Sequence, residues 1–118
     1  MLPNKSVLFW FSGLVCLAGL SGCADGLGDP TGSVCPTDST LTYENFGQAF
    51  FEKNCLSCHE SQESPHFTTQ SQIQAYANDI DRAAASGPDG TNTYMPEDGD
   101  VAESDRKKLG EWLACGAP

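Results

Sequence analysis

The sequence has 118 residues, with 16 Asp and Glu against 6 Lys and Arg and a formal net charge of −10. That length allows one small domain with a modest core, which bodies of this size commonly reinforce with a staple or a bound group. The acidic excess argues against nucleic acid and against electrostatic adhesion to anionic headgroups, and favours basic partner surfaces or simple solubility.

Met1–Ser6 carries one charge, Lys5, and residues 7–20 are almost wholly apolar. A positive start followed by a short apolar run is the order of a secretory signal, and the run is short for a spanning helix. It ends in Leu20-Ser21-Gly22-Cys23, which resembles the bacterial lipobox. That resemblance implies a diacylglyceryl group on the Cys23 sulfur, loss of residues 1–22, and Cys23 as a lipidated N-terminus. Two or more acyl chains on one residue anchor stably. The expected location is therefore the periplasmic or cell-surface side of a bacterial membrane.

Residues 24–40 are rich in Gly, Asp, Pro, Ser and Thr, so 23–40 reads as the lipidated end and a flexible tether, and 41–118 as the body. Thr42 is a plausible helix cap with Glu44 in the first turn, and Phe46/Phe50 and Gly47/Phe51 sit four apart, predicting a helix over 42–54. A second helix fits 71–86, where Ile73, Ala77, Ile80 and Ala84 form one stripe and Gly87-Pro88 supplies the stop. Residues 87–100 read as a loop with no strand pattern. A last helix fits 104–115, with Ser104 as cap and Leu109, Trp112 and Leu113 as its apolar face. The expected fold is all-α, about three helices with long loops.

Six cysteines remain to be placed. Cys16 leaves with the signal, Cys23 takes the lipid, and Cys55 and Cys58 form a close pair. In an oxidising compartment the two left over, Cys35 and Cys115, read as a disulfide. Such a bridge closes a loop of about 80 residues, worth on the order of 4 kcal/mol in the chain-entropy model.

Cys55-Leu56-Ser57-Cys58-His59 is C-x-x-C-H, the pattern of c-type haem attachment. Two thiols three positions apart can add to the two vinyl groups on one porphyrin edge, and the histidine after them then lies under the iron. Its other ring nitrogen needs an acceptor to fix the tautomer. A structural zinc site needs four ligands and usually a second Cys or His pair. Here His66 is the only other histidine. A thioredoxin-like dithiol would need a βαβ context, which the pattern lacks.

Around this motif the chain resembles the small class I c-type cytochromes over residues 42–116. Gly47 and Phe51 stand eight and four residues before the first cysteine, as in that family. There the glycine lets the first helix cross closely on the last, a role that Leu109, Trp112 and Leu113 fit. The family's sixth iron ligand is a methionine before the last helix, often in a Met-Pro pair, and Met95-Pro96 matches. The family's proline that offers a carbonyl to the proximal histidine is not at its usual distance, and Pro65 is the substitute. The resemblance implies one covalent haem c on Cys55 and Cys58, with His59 and Met95 as axial ligands. It implies one-electron transfer at a membrane surface rather than enzymatic chemistry. The partners would be redox donor and acceptor proteins with basic docking surfaces, met as a monomer or as a subunit of a respiratory complex. The alternatives are a gas sensor or peroxidase-like enzyme with an open sixth position, and a permanently docked haem subunit. His66 reads as a surface residue, Tyr76 and Tyr94 as packing or propionate contacts, and residues 97–100 as a solvated acidic run.

Overall fold

A computed structural model describes residues 26–118. The signal segment, Cys16 and the lipobox cysteine Cys23 lie outside the described residues.

Thr42 caps the first helix as its sequence predicts. Its hydroxyl accepts from the Asn45 N–H at 3.2 Å, and Asn45 Oδ1 accepts from the Thr42 N–H at 2.8 Å, a reciprocal box. The first turn, Tyr43–Gly47, is π-helical, and it runs on as α1, Gln48–Asn54. Cys55 interrupts the helix at φ −124°, and α2, Leu56–His59, follows as a single turn. Thr69 then caps α3, Gln70–Ala75, with Gln72 completing a second reciprocal box.

The single helix expected over 71–86 is two helices. Tyr76 leaves helical geometry at φ −112°, ψ 18°, and α4 spans Ala77–Ala84. The apolar stripe survives the break, with Ile73, Ile80 and Ala84 buried. The stop comes before Gly87. Ala85 is already extended, because Ser86–Gly87 (β1) pairs antiparallel with Gly90–Thr91 (β2) around Pro88-Asp89. Gly-Pro-Asp-Gly is strong turn chemistry, and the residues flanking it supply the two short strands. The fold is thus helix-rich with a small two-stranded sheet, not purely all-α. The last helix, α5, spans Glu103–Ala114 with Ala102 at its cap, so Ser104 is not the cap. The Ala102 carbonyl receives the Asp105 and Arg106 N–H groups, and Glu103 and Asp105 put negative charge in the first turn.

The segment read as a flexible tether is largely docked. The Gly28 N–H donates to the Arg82 carbonyl at 2.8 Å, and Arg82 Nε donates back to the Gly28 carbonyl at 2.8 Å. The Thr31 N–H and hydroxyl both donate to the Asp81 carboxylate, at 2.9 and 2.6 Å. Asn92 Nδ2 donates to the Asp29 carbonyl, and Thr31 is fully buried. Composition favours flexibility here, but α4 presents partners for the main chain, so residues 28–33 form a strap. Beyond it, Cys35 is bonded to Cys115 with a Cα–Cα distance of 4.7 Å, and Ser39 donates to Glu111 at 2.6 Å. The expected disulfide is present.

The core gathers where the first and last helices cross. Phe51, Ile73, Leu109 and Trp112 are almost completely buried, joined by Phe50, Phe67 and Ile80. Successive rings from Trp112 through Phe51 to Phe67 lie 6.3 and 5.4 Å apart, in the range of favourable aromatic packing.

Candidate functional site

The motif residues lie on one turn of helix. The Cys58 and His59 N–H groups both donate to the Cys55 carbonyl, at 3.2 and 2.9 Å. Residues three apart on a helix share a face, so the turn presents Cys55 and Cys58 as neighbours. Neither is in a disulfide; Cys55 is half-buried at the edge of the core and Cys58 is exposed.

His59 is fixed from two directions. Its Nδ1 lies 2.7 Å from the Pro65 carbonyl oxygen, which can only accept, so Nδ1 donates there and, in the neutral ring, the lone pair is on Nε2. The His59 carbonyl accepts from the Phe67 N–H at 3.0 Å, closing the loop over 60–66 on the same residue. The Phe67 ring packs on the imidazole with centroids 4.9 Å apart. Two bonds and one ring contact hold the orientation of the free nitrogen, the usual arrangement behind a metal-ligating histidine. The Pro65 carbonyl is thus the acceptor for the His59 ring N–H. Phe67 was not singled out from the sequence, where a lone phenylalanine in a polar loop gives no such signal.

The helix crossing supports this turn from behind. A Cβ placed on Gly47 would lie 2.5 Å from Trp112 Cη2 and Cζ2, so the tryptophan occupies the space a side chain would take. Phe51 and Leu109 are buried beside it. Gly47 and Phe51 thus both lie against Trp112, and Leu109 is buried in the same cluster.

Met95 lies half-buried against the same apolar cluster that Cys55 and Leu56 edge. Its N–H donates to the Ala83 carbonyl at 3.0 Å, and its carbonyl accepts from Arg106 Nη1 at 2.9 Å. Tyr94 beside it is 52 % exposed, and Tyr76, 41 % exposed, packs edge-on against Phe67. His66 and residues 97–100 are exposed.

These residues fit a c-type haem on the chemistry of the donor set. Two unpaired thiols share a helical turn, and the next residue holds an imidazole whose free nitrogen is Nε2. Among the described residues no group of three or more His, Cys, Asp or Glu converges, so a zinc site with four protein ligands has no donor set. A haem iron asks less of the protein, because the porphyrin supplies four of its ligands. A cleft of about 410 Å³ runs between Leu27–Pro30 and Asp89–Tyr94, lined by none of the motif residues.

The two thiols differ in burial. Burial pushes the Cys55 thiol up to about 12. The thiolate is the nucleophile, so in haem-free folded protein near pH 8 Cys58 is expected to alkylate readily while Cys55 stays protected. Mass spectrometry after iodoacetamide treatment would show a single label until denaturant is added; simultaneous labelling would contradict the burial.

Protein-family models, characterised proteins and solved structures were compared with the chain, and none matches it.

Proposed function

We propose that the chain is a one-electron carrier with one haem c, covalently held by Cys55 and Cys58 and ligated axially by His59 and Met95. The observation that carries it is the 2.7 Å contact between His59 Nδ1 and the Pro65 carbonyl, which reserves Nε2 for a metal on the turn that bears the two thiols. Its resemblance to the small class I c-type cytochromes extends through the Gly47–Trp112 contact and the Met95-Pro96 pair.

The haem supplies the one-electron couple between ferric and ferrous iron. The protein's part is to bind and orient it. Cys55 and Cys58 tether one edge, and Pro65 fixes the tautomer and ring plane of His59. Met95 would be the second protein ligand of the iron, and a haem so held would exclude oxygen and peroxide and serve a carrier rather than an enzyme. Axial Met/His ligation also raises the potential. The Cys35–Cys115 bridge accords with an oxidising compartment outside the cytoplasmic membrane, where lipidated Cys23 would hold the body at the membrane surface. The acidic surface suits donor and acceptor proteins with basic docking faces, in the small transient encounters typical of redox partners.

An absorption spectrum of the mature protein, made with a c-type maturation system, tests the assignment. A c-type reduced spectrum, no carbon monoxide shift, and a methionine–iron charge-transfer band lost in Met95→Ala are the expected results. A carbon monoxide shift in the parent would point to an open-site sensor or enzyme. Absence of covalent haem, where a control cytochrome matures, would overturn the proposal.

A further inference from the structure

Arg106 is a buried cation without a buried anion. It lies on α5 three residues before Leu109 and is 4 % exposed. Among the described residues no carboxylate pairs with its guanidinium. Its Nη1 instead donates to three main-chain carbonyls: Ala84 at 2.8 Å, Asn92 at 3.0 Å and Met95 at 2.9 Å. The Ala84 carbonyl belongs to the last residue of α4, where helix carbonyls have no helical partner and the helix end carries partial negative charge. That end and two loop carbonyls together take the place of a counter-ion. Nη1 has two hydrogens for three acceptors, so one is shared.

The three acceptors come from the two ends of one excursion. Ala84 closes α4, and Asn92 and Met95 lie on the return from the β1–β2 turn. Met95 is held at both its polar groups, by Ala83 and by Arg106, while the residues after it, 97–100, are exposed. Pro96 has no N–H to contribute a further bond. The Met95 carbonyl is thus tied to α5 by one guanidinium.

We propose that Arg106 is the positioning residue for Met95: by fastening the Met95 main chain to α5 and to the end of α4, it keeps the thioether at the sixth position of the iron. This rests on the ligation proposed above. A buried aliphatic side chain at this place would leave the carbonyls unpaired, and a lysine would keep the charge without the planar fork of donors.

The test uses haem-loaded full chain with Arg106→Gln, Arg106→Lys and Met95→Ala, and Ile73→Ala, buried on α3, as a core variant of reduced stability. Carbon monoxide binding to the ferrous form reports how often the sixth position opens, and the methionine–iron band reports ligation in the ferric form. In Arg106→Gln the carbon monoxide association rate is expected to rise at least roughly tenfold with weakening of the band, the factor for one lost charge-assisted hydrogen bond on a loop. Arg106→Lys recovers part of it, and Ile73→Ala lowers the melting temperature without either change. Hydrogen exchange at the Met95 amide rises in Arg106→Gln as an independent readout. If Met95→Ala opens the site while Arg106→Gln leaves both the rate and the band at parent values, Arg106 has no positioning role. If Met95→Ala itself changes nothing, the ligation has failed instead. Equal opening by Ile73→Ala would reduce Arg106 to general stability and overturn the proposal.

Discussion

Gly47→Val is expected to destabilise the body by about 3 kcal/mol, at the upper end of overpacking effects. The reason is space rather than conformation. Gly47 has φ −57°, ψ −50°, ordinary right-handed helix that any residue adopts. Its missing side chain leaves room for the Trp112 ring, which would lie 2.5 Å from a new Cβ. Trp112 is fully buried and packed by Phe46 and Phe51, so the ring has little freedom to retreat. Alanine gives the sharper test of sign. Helix propensity alone favours Gly→Ala by about 0.8–1.0 kcal/mol, whereas overpacking costs roughly 1–3 kcal/mol. The clash involves rigid ring atoms, so Gly47→Ala should lower stability in chemical denaturation, and pairing it with Trp112→Phe should restore part of the loss. A more stable Gly47→Ala would show that the helices separate freely at this crossing.

Removing the Cys35–Cys115 bridge by paired serine substitution should cost about 4 kcal/mol, the chain-entropy value for a loop of this length. Small domains commonly have only about 5–15 kcal/mol of total stability, so the loss is a large share of the whole. The bridge joins residues 80 apart in sequence and fixes the chain entering the first helix to the end of α5. Denaturant midpoints with and without reductant would measure it. Unchanged midpoints would mean that the Thr31–Asp81 and Ser39–Glu111 hydrogen bonds already secure this segment unaided.

Much of this architecture is legible because it depends on local chemistry. Thr42 caps a helix through a side chain three residues away, and the stripe of Ile73, Ile80 and Ala84 reports its buried face directly. Gly47 and Trp112 were paired by the family resemblance, and Cys35 and Cys115 by elimination. What was not legible depends on partners far along the chain. Tyr76 breaks a helix whose apolar period continues across it. The hairpin of Ser86–Gly87 and Gly90–Thr91 is too short to show an alternating pattern. Ser86 is held there by hydrogen bonds with Thr91 and Glu103, and the Ser86 and Thr91 hydroxyls, both donating to Glu103, keep its carboxyl below its ordinary range. Thr69 and Gln72 did carry a readable capping-box spacing. Arg106 carried none: in sequence it is one charge in a charged helix, and only the carbonyls of Ala84, Asn92 and Met95 set it apart.

The strap alters what a lipid at Cys23 would do. Were residues 24–40 a free spacer, their seventeen residues would behave as a coil with an end-to-end distance of about 20–25 Å, extensible to more than twice that. Leu27, four residues after Cys23, already packs against the core, so a lipid at Cys23 would lie within about 14 Å of that point. The point of attachment is also specific. Asp29 is bonded by Asn92, and a Cβ on Gly28 would touch Tyr94, so the leash leaves the body beside the Tyr94–Met95 loop. A body moored there by a lipid would not roll over freely. Lateral diffusion would carry it along the bilayer with this one edge kept near the lipid, a boat held at the bow rather than a float on a long line.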